Sequence, residues 1–398
     1  MPFDQIRYES TFEGIEEWGN FGKVSRITAK DNLLKFHVSI KKCPLTEKGF
    51  QAFSGMLNAL LLLDLARSPH IEILTDIGIL EEALWVVKQN YQFNLQDFIF
   101  SPKYVKLPLH GRIMIMFQLL KALEYVHSMD IVHRNVNLAS VHLDSSLDVK
   151  LSGFHFAKYI VENNCNTNEI CFNPESFPSK DFLAPEILRC DSSIGPPCDM
   201  WSAGCIFASL FSRKSIFQGI SPDDNISETL ARIDDILSGT VFSGLLNDVG
   251  AVCPLAAEVI RATLTPSISS RMTAKQCVAH PLFKACKTVP SKVNKAFVDA
   301  WYSVTDEVRV EVMSSLQKLN ALNDCYLNNP SAFNESESIT FIVEEISKLR
   351  QRLDERSLLA SQSPSIDRMG SGLSDGTVTD TESRSSCTCS PSERTCEI

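Results

Sequence analysis

Three blocks of this chain carry residue types suited to handling a phosphate ester. Trp18-Gly19-Asn20-Phe21-Gly22-Lys23-Val24 has the frame of a glycine-rich turn, whose backbone N–H groups can approach phosphate oxygens. Val38-Ser39-Ile40-Lys41 follows as a short β-type run ending on a cation that could meet those oxygens. The third block, His133-Arg134-Asn135-Val136-Asn137-Leu138-Ala139-Ser140 and then Gly153-Phe154-His155, has the frame of a catalytic loop and a metal-binding turn. Phosphoryl transfer needs a carboxylate to accept the proton of the attacking hydroxyl, and oxygen ligands to hold magnesium. Asn135 stands at the base position, Asn137 at that of a phosphate-facing lysine, and Ser140 and Gly153 at the two metal positions. An amide has no useful basicity, a serine offers a neutral hydroxyl, and glycine offers no side chain. The reading is a phosphate-binding frame without catalytic residues and without metal ligands.

Those residues must be positioned by the elements around them. Short β-branched or apolar runs at 23–27, 36–41, 71–77 and 84–88 predict strands, and 50–67 is apolar on too many faces for anything but a largely buried helix. Ile113, Met116, Phe117, Leu120, Leu123 and Val126 recur at spacings of three and four, which predicts a helix over 109–127. Two short strands are expected on either side of Ser145-Ser146, and the pattern beyond Pro185 is helical to about Lys287. The organisation is a small sheet-rich lobe followed by a larger helical one.

The domain expectation is one unit over 1–287, a helical extension over 288–356 and a disordered Ser/Thr-rich tail over 357–398. Within the extension, 292–319 is expected to form one or two amphipathic helices. Ile339, Ile342, Ile346, Leu349 and Leu353 fall on one helical stripe, which would pack on its own domain or receive a partner.

A formal charge of −10 argues against a general nucleic-acid binder, which would show a basic face. The longest apolar run, 56–66, is interrupted by Asn58 and Asp64 and is too short to span a bilayer, and 1–17 lacks the apolar core of a signal peptide. Thirteen cysteines without a C-x-x-C pair read as reduced, mostly buried thiols. Expected partners therefore include neither nucleic acid nor membrane.

Taken in order, the glycine turn, the V-S-I-K strand, the catalytic-loop frame, Gly153-Phe154-His155, Ala184-Pro185-Glu186, Asp199-Met200-Trp201-Ser202-Ala203-Gly204 and Arg271 resemble the signposts of the protein-kinase superfamily. The resemblance implies an α+β, bilobal protein-kinase-like fold with an N-terminal β-rich lobe and a C-terminal helical lobe. Scaffold residues are kept: Glu186 and Arg271 can pair, and Asp199, His133 and Arg134 can brace the loop. The helix-C acid is missing near Ala59, and Lys88 stands at the gatekeeper position before the hinge Gln89-Asn90-Tyr91. Lys88 would neutralise phosphates in place of magnesium or crowd the adenine pocket.

Within the superfamily the chain most resembles the sterile-20-related kinase adaptor (STRAD) pseudokinases. The resemblance rests on Leu84-Trp85-Val86-Val87, on Leu120-Lys121-Ala122-Leu123-Glu124-Tyr125-Val126-His127, on Leu151-Ser152-Gly153, on Ser238-Gly239-Thr240-Val241 and on His280-Pro281-Leu282-Phe283-Lys284. Gly204-Cys205-Ile206-Phe207-Ala208 instead resembles MAP-kinase-like enzymes. The adaptor resemblance implies a non-enzyme that activates a liver-kinase-B-type serine/threonine kinase together with a mouse-protein-25-type helical-repeat scaffold, in cell polarity and energy-responsive signalling. It implies a cytoplasmic complex, with a nuclear pool as the alternative. It further implies ATP held without turnover by Lys41 and the Gly19–Gly22 loop. The candidate nucleotide-binding set is Gly19, Gly22, Val24, Lys41, Lys88 and Asn90, holding ATP without magnesium, with Lys88 a departure from the family. The alternative is that Gly19, Gly22 and Lys41 are structural relics. Partner contacts are implied for Phe154 and His155 in the activation segment and for the terminal Cys396-Glu397-Ile398, where the family has W-E-F. A silent scaffold or decoy, and a weak atypical kinase using Asp144 or Asp148, remain the competing readings.

Overall fold

The computed structural model describes residues 7–10, 15–19, 22–44, 50–65, 68–81, 83–91, 93–144, 146–160, 180–191, 194–220, 224–288, 301, 305–329, 331 and 333–362. The small lobe begins with strands β1 (Tyr8–Ser10), β2 (Ile15–Gly19), β3 (Gly22–Asp31) and β4 (His37–Pro44). A buried helix, α1 (Phe50–Leu65), follows, and then β5 (Leu74–Leu80) and β6 (Ala83–Gln89). The sheet is antiparallel in the order β1-β3-β4-β6-β5, with β2 also paired to β3. Helix α1 is apolar almost all round, with Leu57, Leu60, Leu61, Leu62 and Leu65 each no more than 2% exposed, because it lies between the sheet and later parts of the chain.

Beyond the hinge come β7 (Phe93–Asn94), α2 (Leu95–Phe100), α3 (Pro102–Val105) and the long helix α4 (Leu109–Ser128). The short strands β8 (Ile131–Val132), β9 (Val141–Leu143), β10 (Val149–Leu151) and β11 (Lys158–Tyr159) carry the loops of the cleft. Strands β9 and β10 form the expected hairpin on either side of Ser145-Ser146, and Gln118 of α4 holds it by donating to Asp148 (2.6 Å) and accepting from Val149 N (2.8 Å).

The large lobe is completed by α5 (Pro185–Leu188), α6 (Pro196–Ser212), α7 (Ile226–Ser238), α8 (Thr240–Val252), α9 (Pro254–Thr263) and α10 (Ala274–Ala279). Helix α6 is its axis: Trp201 stacks on Phe217 at 5.7 Å, and a Cβ on Gly204 would meet Thr263 Oγ1 at 2.6 Å, so glycine is what lets α6 and α9 close. The sequence-predicted bilobal α+β architecture is the observed one. Of the eight described cysteines, five are buried. No helix among the described residues is long and apolar enough to cross a membrane.

Two helices follow, α11 (Asp306–Asn328) and α12 (Glu335–Ser361). Both return to the small lobe, α11 to α1 and α12 to α1 and β5. Ile342, Ile346, Leu349 and Leu353 are at most 5% exposed, so this stripe packs on the chain's own lobe, whereas Ile339 is 41% exposed and lies off the contact. The expected start of the disordered tail at 357 is also corrected. Ser357 and Ala360 are helical and fully buried, continuing the stripe with side chains too small to register as an apolar pattern.

The seam is fastened by charge. Asp64 of α1 meets Arg352 Nε at 2.8 Å and Arg356 NH1 at 2.7 Å, and Asp76 of β5 lies 3.8 Å from Arg350 Nε. Arg7 forks onto Asp31 (Nε and NH2, 2.7–3.1 Å), lies 3.8 Å from Asp76 and donates to Ser357 Oγ at 3.2 Å. Tyr8 OH donates to Asp76 at 2.8 Å. The charges are buried but paired, the condition under which buried ions are tolerated.

Candidate functional site

The loop over 133–140 is held from below by Asp199, at the start of α6. One carboxylate oxygen accepts from Arg134 N (2.7 Å), and the other from His133 N (2.8 Å) and His127 Nε2 (2.9 Å). Burial works against ionisation of Asp199, yet these donors hold its carboxyl below the usual range. Arg134 sits at φ 61°, a left-handed conformation that the two short bonds to Asp199 help to fix. His133 Nε2 meets Ser152 O at 2.8 Å, and its ring packs edge-on against Phe154 at 4.6 Å.

The polar residues of the loop are satisfied by one another. Asn137 Nδ2 donates to Asn135 Oδ1 (3.1 Å) and to Asn135 O (3.2 Å). Asn137 Oδ1 accepts from Ala139 N and Ser140 N, and Ser140 Oγ in turn accepts from Asn137 N at 2.9 Å. This is a reciprocal capping box on the 3₁₀ turn Leu138–Ser140. Asn135, Asn137 and Ser140 are at most 8% exposed, so the groups at the base, lysine and metal positions are committed to holding the loop. Gly153 lies at φ 84°, and a Cβ there would come within 3.2 Å of Ser140 Cβ. Neither metal position offers a carboxylate or amide oxygen, and among the described residues no three His, Cys, Asp or Glu side chains converge. The residues present do not fit a magnesium site.

Asp144 and Asp148 lie in the β9–β10 turn. Asp144 Oδ1 accepts from Ser146 N (2.8 Å) and Asp148 N (2.9 Å), and Asp148 accepts from Gln118. Both carboxylates are engaged in closing the hairpin.

On the sheet side, Gly19 and Gly22 pair at the end of the β2–β3 hairpin, Val24 pairs with Glu17, and Asn20 and Phe21 lie outside the described residues. Lys41 pairs in register with Val86, and Lys88 with Ser39, so both lysines stand on the same face of the sheet, the face turned to the cleft. No acid precedes Asp64 in α1, as the sequence indicated, but the cleft contains one from elsewhere. Glu72, in the link before β5, is 7% exposed and accepts from Lys88 Nζ at 2.8 Å. Burial opposes its ionisation, yet Lys88, with His142 and Lys41 adding their charge, holds the carboxyl below its ordinary value. Lys88 is thus partnered by protein.

The expected adenine side is also occupied by polar groups. His142 of β9 stacks on Tyr91 at 5.5 Å, and Tyr91 OH accepts from Ile73 N at 3.1 Å. Asn90 is exposed and uses its backbone N–H on His37 O (2.9 Å). Sequence reasoning missed Glu72 and His142 and had Tyr91 only as a hinge residue. The signal for the first two was a lone polar residue inside an apolar run, Ile71-Glu72-Ile73 and Val141-His142-Leu143.

Of the residues singled out for partner contact, Phe154 is 3% exposed and belongs to the core beneath the loop, not to a surface. His155 is half-buried, and its imidazole is pushed down to about 3 by burial and by the charges of Lys88 and Lys41. Cys396, Glu397 and Ile398, and the activation segment over 161–179, lie outside the described residues. Glu186 and Arg271 form a buried two-pronged pair (2.5 and 3.2 Å), and Arg271 also donates to Pro197 O (2.8 Å) and covers the Trp201 ring at 5.1 Å. The segment's C-terminal anchor is therefore intact.

A family model described as the protein kinase domain matches residues 18–283, more than half of the chain. That span runs from the glycine hairpin through the loop braced by Asp199 to the Arg271 anchor and the end of the large lobe. The chain belongs to the protein kinase domain family.

Proposed function

We propose that this protein is a catalytically silent kinase domain that activates another kinase by binding it. The observation that carries the reading is the loop itself: Asn135, Asn137 and Ser140 are consumed in a closed hydrogen-bond set, and Gly153 supplies no ligand beside them. General acid–base assistance alone is worth about two to four powers of ten in rate. The braces that hold the fold, Asp199 and Glu186–Arg271, are in place. A kinase-shaped surface without turnover suits an adaptor.

The resemblance to the sterile-20-related kinase adaptors supports the finer reading: the partner is a liver-kinase-B-type serine/threonine kinase, the third member a mouse-protein-25-type scaffold, and the setting cytoplasmic. Activation requires that the adaptor bind the active state of its partner more tightly than the inactive one, and a coupling of about 1–3 kcal/mol suffices for a clear rise in rate. Lys41 and the Gly19–Gly22 hairpin would hold ATP without magnesium in this reading, and Glu72 would act against it by engaging Lys88.

The test is peptide phosphorylation by a liver-kinase-B-type kinase with and without this protein and the scaffold, with this protein alone as baseline. A rise over a silent baseline is expected. A stable complex with no rise would replace activation by silent scaffolding, and turnover in the baseline would overturn the reading.

A further inference from the structure

Helices α11 and α12 both line a groove of about 770 Å³. Its α11 wall carries Asp306, Glu307, Val310 and Glu311, and its α12 wall carries Phe341, Glu344, Glu345 and Lys348. Residues 306 to 318 give it a length of about 18 Å. Five acids and two lysines line it, and the lysines are already engaged: Lys348 with Glu345 (2.8 Å) and Glu311 (3.8 Å), Lys318 over the Phe341 ring at 4.2 Å. Asp306, Glu307 and Glu344 carry no ion pair among the described residues.

Two further observations point to a ligand. Glu345 is 2% exposed, and its Oε2 has no hydrogen-bond partner although Oε1 has Lys348. A buried carboxylate oxygen without a donor is costly and calls for one. Val310, on the opposite wall, is 69% exposed, an apolar side chain facing an acidic rim.

We propose that this groove docks a basic amphipathic segment of a partner protein, with an arginine taking the place of the exposed Lys348 on Glu345 so that both carboxylate oxygens gain donors, and an apolar side chain covering Val310 and Phe341. Charge selects the occupant. The chain's own residues 363–398 hold six acids against three arginines and do not complement the groove. Arginine is the cation suited to a buried carboxylate, since its fork supplies several donors from a weakly hydrated group. The site lies outside the kinase cleft, so it stands or falls apart from the adaptor reading.

The probe is a fluorescein-labelled peptide with arginine and leucine at helical spacing, long enough to fill the groove, titrated into the full-length protein. Its counterpart with glutamate in place of arginine is the control. Saturable binding of the arginine peptide alone is expected. Val310→Lys, at an exposed position that cannot disturb the core, should weaken it about tenfold or more, as should Glu345→Gln. Val343→Ser, on the outer face of α12, should leave it unchanged. Three results would overturn the proposal: no saturable binding to the wild type, equal loss from Glu335→Gln and Glu337→Gln outside the groove, or a change of sedimentation with Val310→Lys that reveals a second copy of this chain as the occupant.

Discussion

The loop over 133–140 and the α12 seam satisfy their buried polar groups in opposite ways. At the cleft, the positions where phosphoryl transfer needs carboxylates hold Asn135 and Gly153, and the remaining polar groups bond to each other. At the seam, Asp64, Asp76 and Asp31 are at most 1% exposed and are met by Arg352, Arg356, Arg350 and Arg7. Ion pairs fix the small lobe against α12, whereas the loop over 133–140 is closed by neutral side chains. A buried ion pair adds little net stability, yet removing one partner strands the other. The seam is therefore a specificity device: α1 and β5 have one low-energy arrangement against α12.

The sharpest way to break this comparison is Asp64→Ala, which leaves Arg352 and Arg356 buried without their carboxylate. A loss of about 3–5 kcal/mol is expected in urea unfolding, and a loss below about 1 kcal/mol would show that the seam is solvated and the comparison empty. Leu353→Ala, at the centre of the same contact, should cost about 2–5 kcal/mol by leaving a cavity.

Acid should weaken the fold through two half-buried histidines. Burial holds His70 down to about 4, and burial with Lys88 and Lys41 holds His155 down to about 3. The unfolded chain binds protons at these sites from about pH 6.5 downward while the folded chain does not, so the unfolded state holds more protons. Stability should fall as pH drops from about 6.5 to 4, by about 1.4 kcal/mol for each pKa unit displaced. Thermal melts across that range check it; a flat profile would mean that these imidazoles are hydrated.

The smallest effect concerns the cleft. Gly153→Asp forces a side chain into φ 84° against Ser140 and should cost about 1–2 kcal/mol. Combined with Asn135→Asp it should yield no peptide phosphorylation, because Asn137 and Ser140 keep the loop closed. Turnover in that variant would show that only the two acids were lacking.

Much of the fold was readable because its signals are periodic or unusual. The stripe in 109–127 and the run in 50–67 appear as α4 and α1, and Asp199 and the Glu186–Arg271 pair sit where the motif order put them. That Asn135, Asn137, Ser140 and Gly153 fill the expected base, lysine and metal positions was read residue by residue. What escaped were contacts between distant segments. Nothing local marks Glu72 as the partner of Lys88, or Asp64 as that of Arg352, since each acid is placed by packing across the sheet or by a helix almost three hundred residues later. Ser357 and Ala360 escaped for a different reason: a small side chain can be fully buried without announcing itself as apolar.

The bond from Arg7 to Ser357 joins positions 350 residues apart, and its consequence concerns the order of synthesis. The strands of the small lobe leave the ribosome early, but Asp64 and Asp76 must wait for Arg350, Arg352 and Arg356. Until α12 emerges, those acids keep their hydration and α1 has no fixed seat, even if the large lobe has already packed. The small lobe, though made before the large one, is thus finished after it. A stalled nascent chain ending before residue 335 would carry a kinase large lobe beside a small lobe still open to proteolysis.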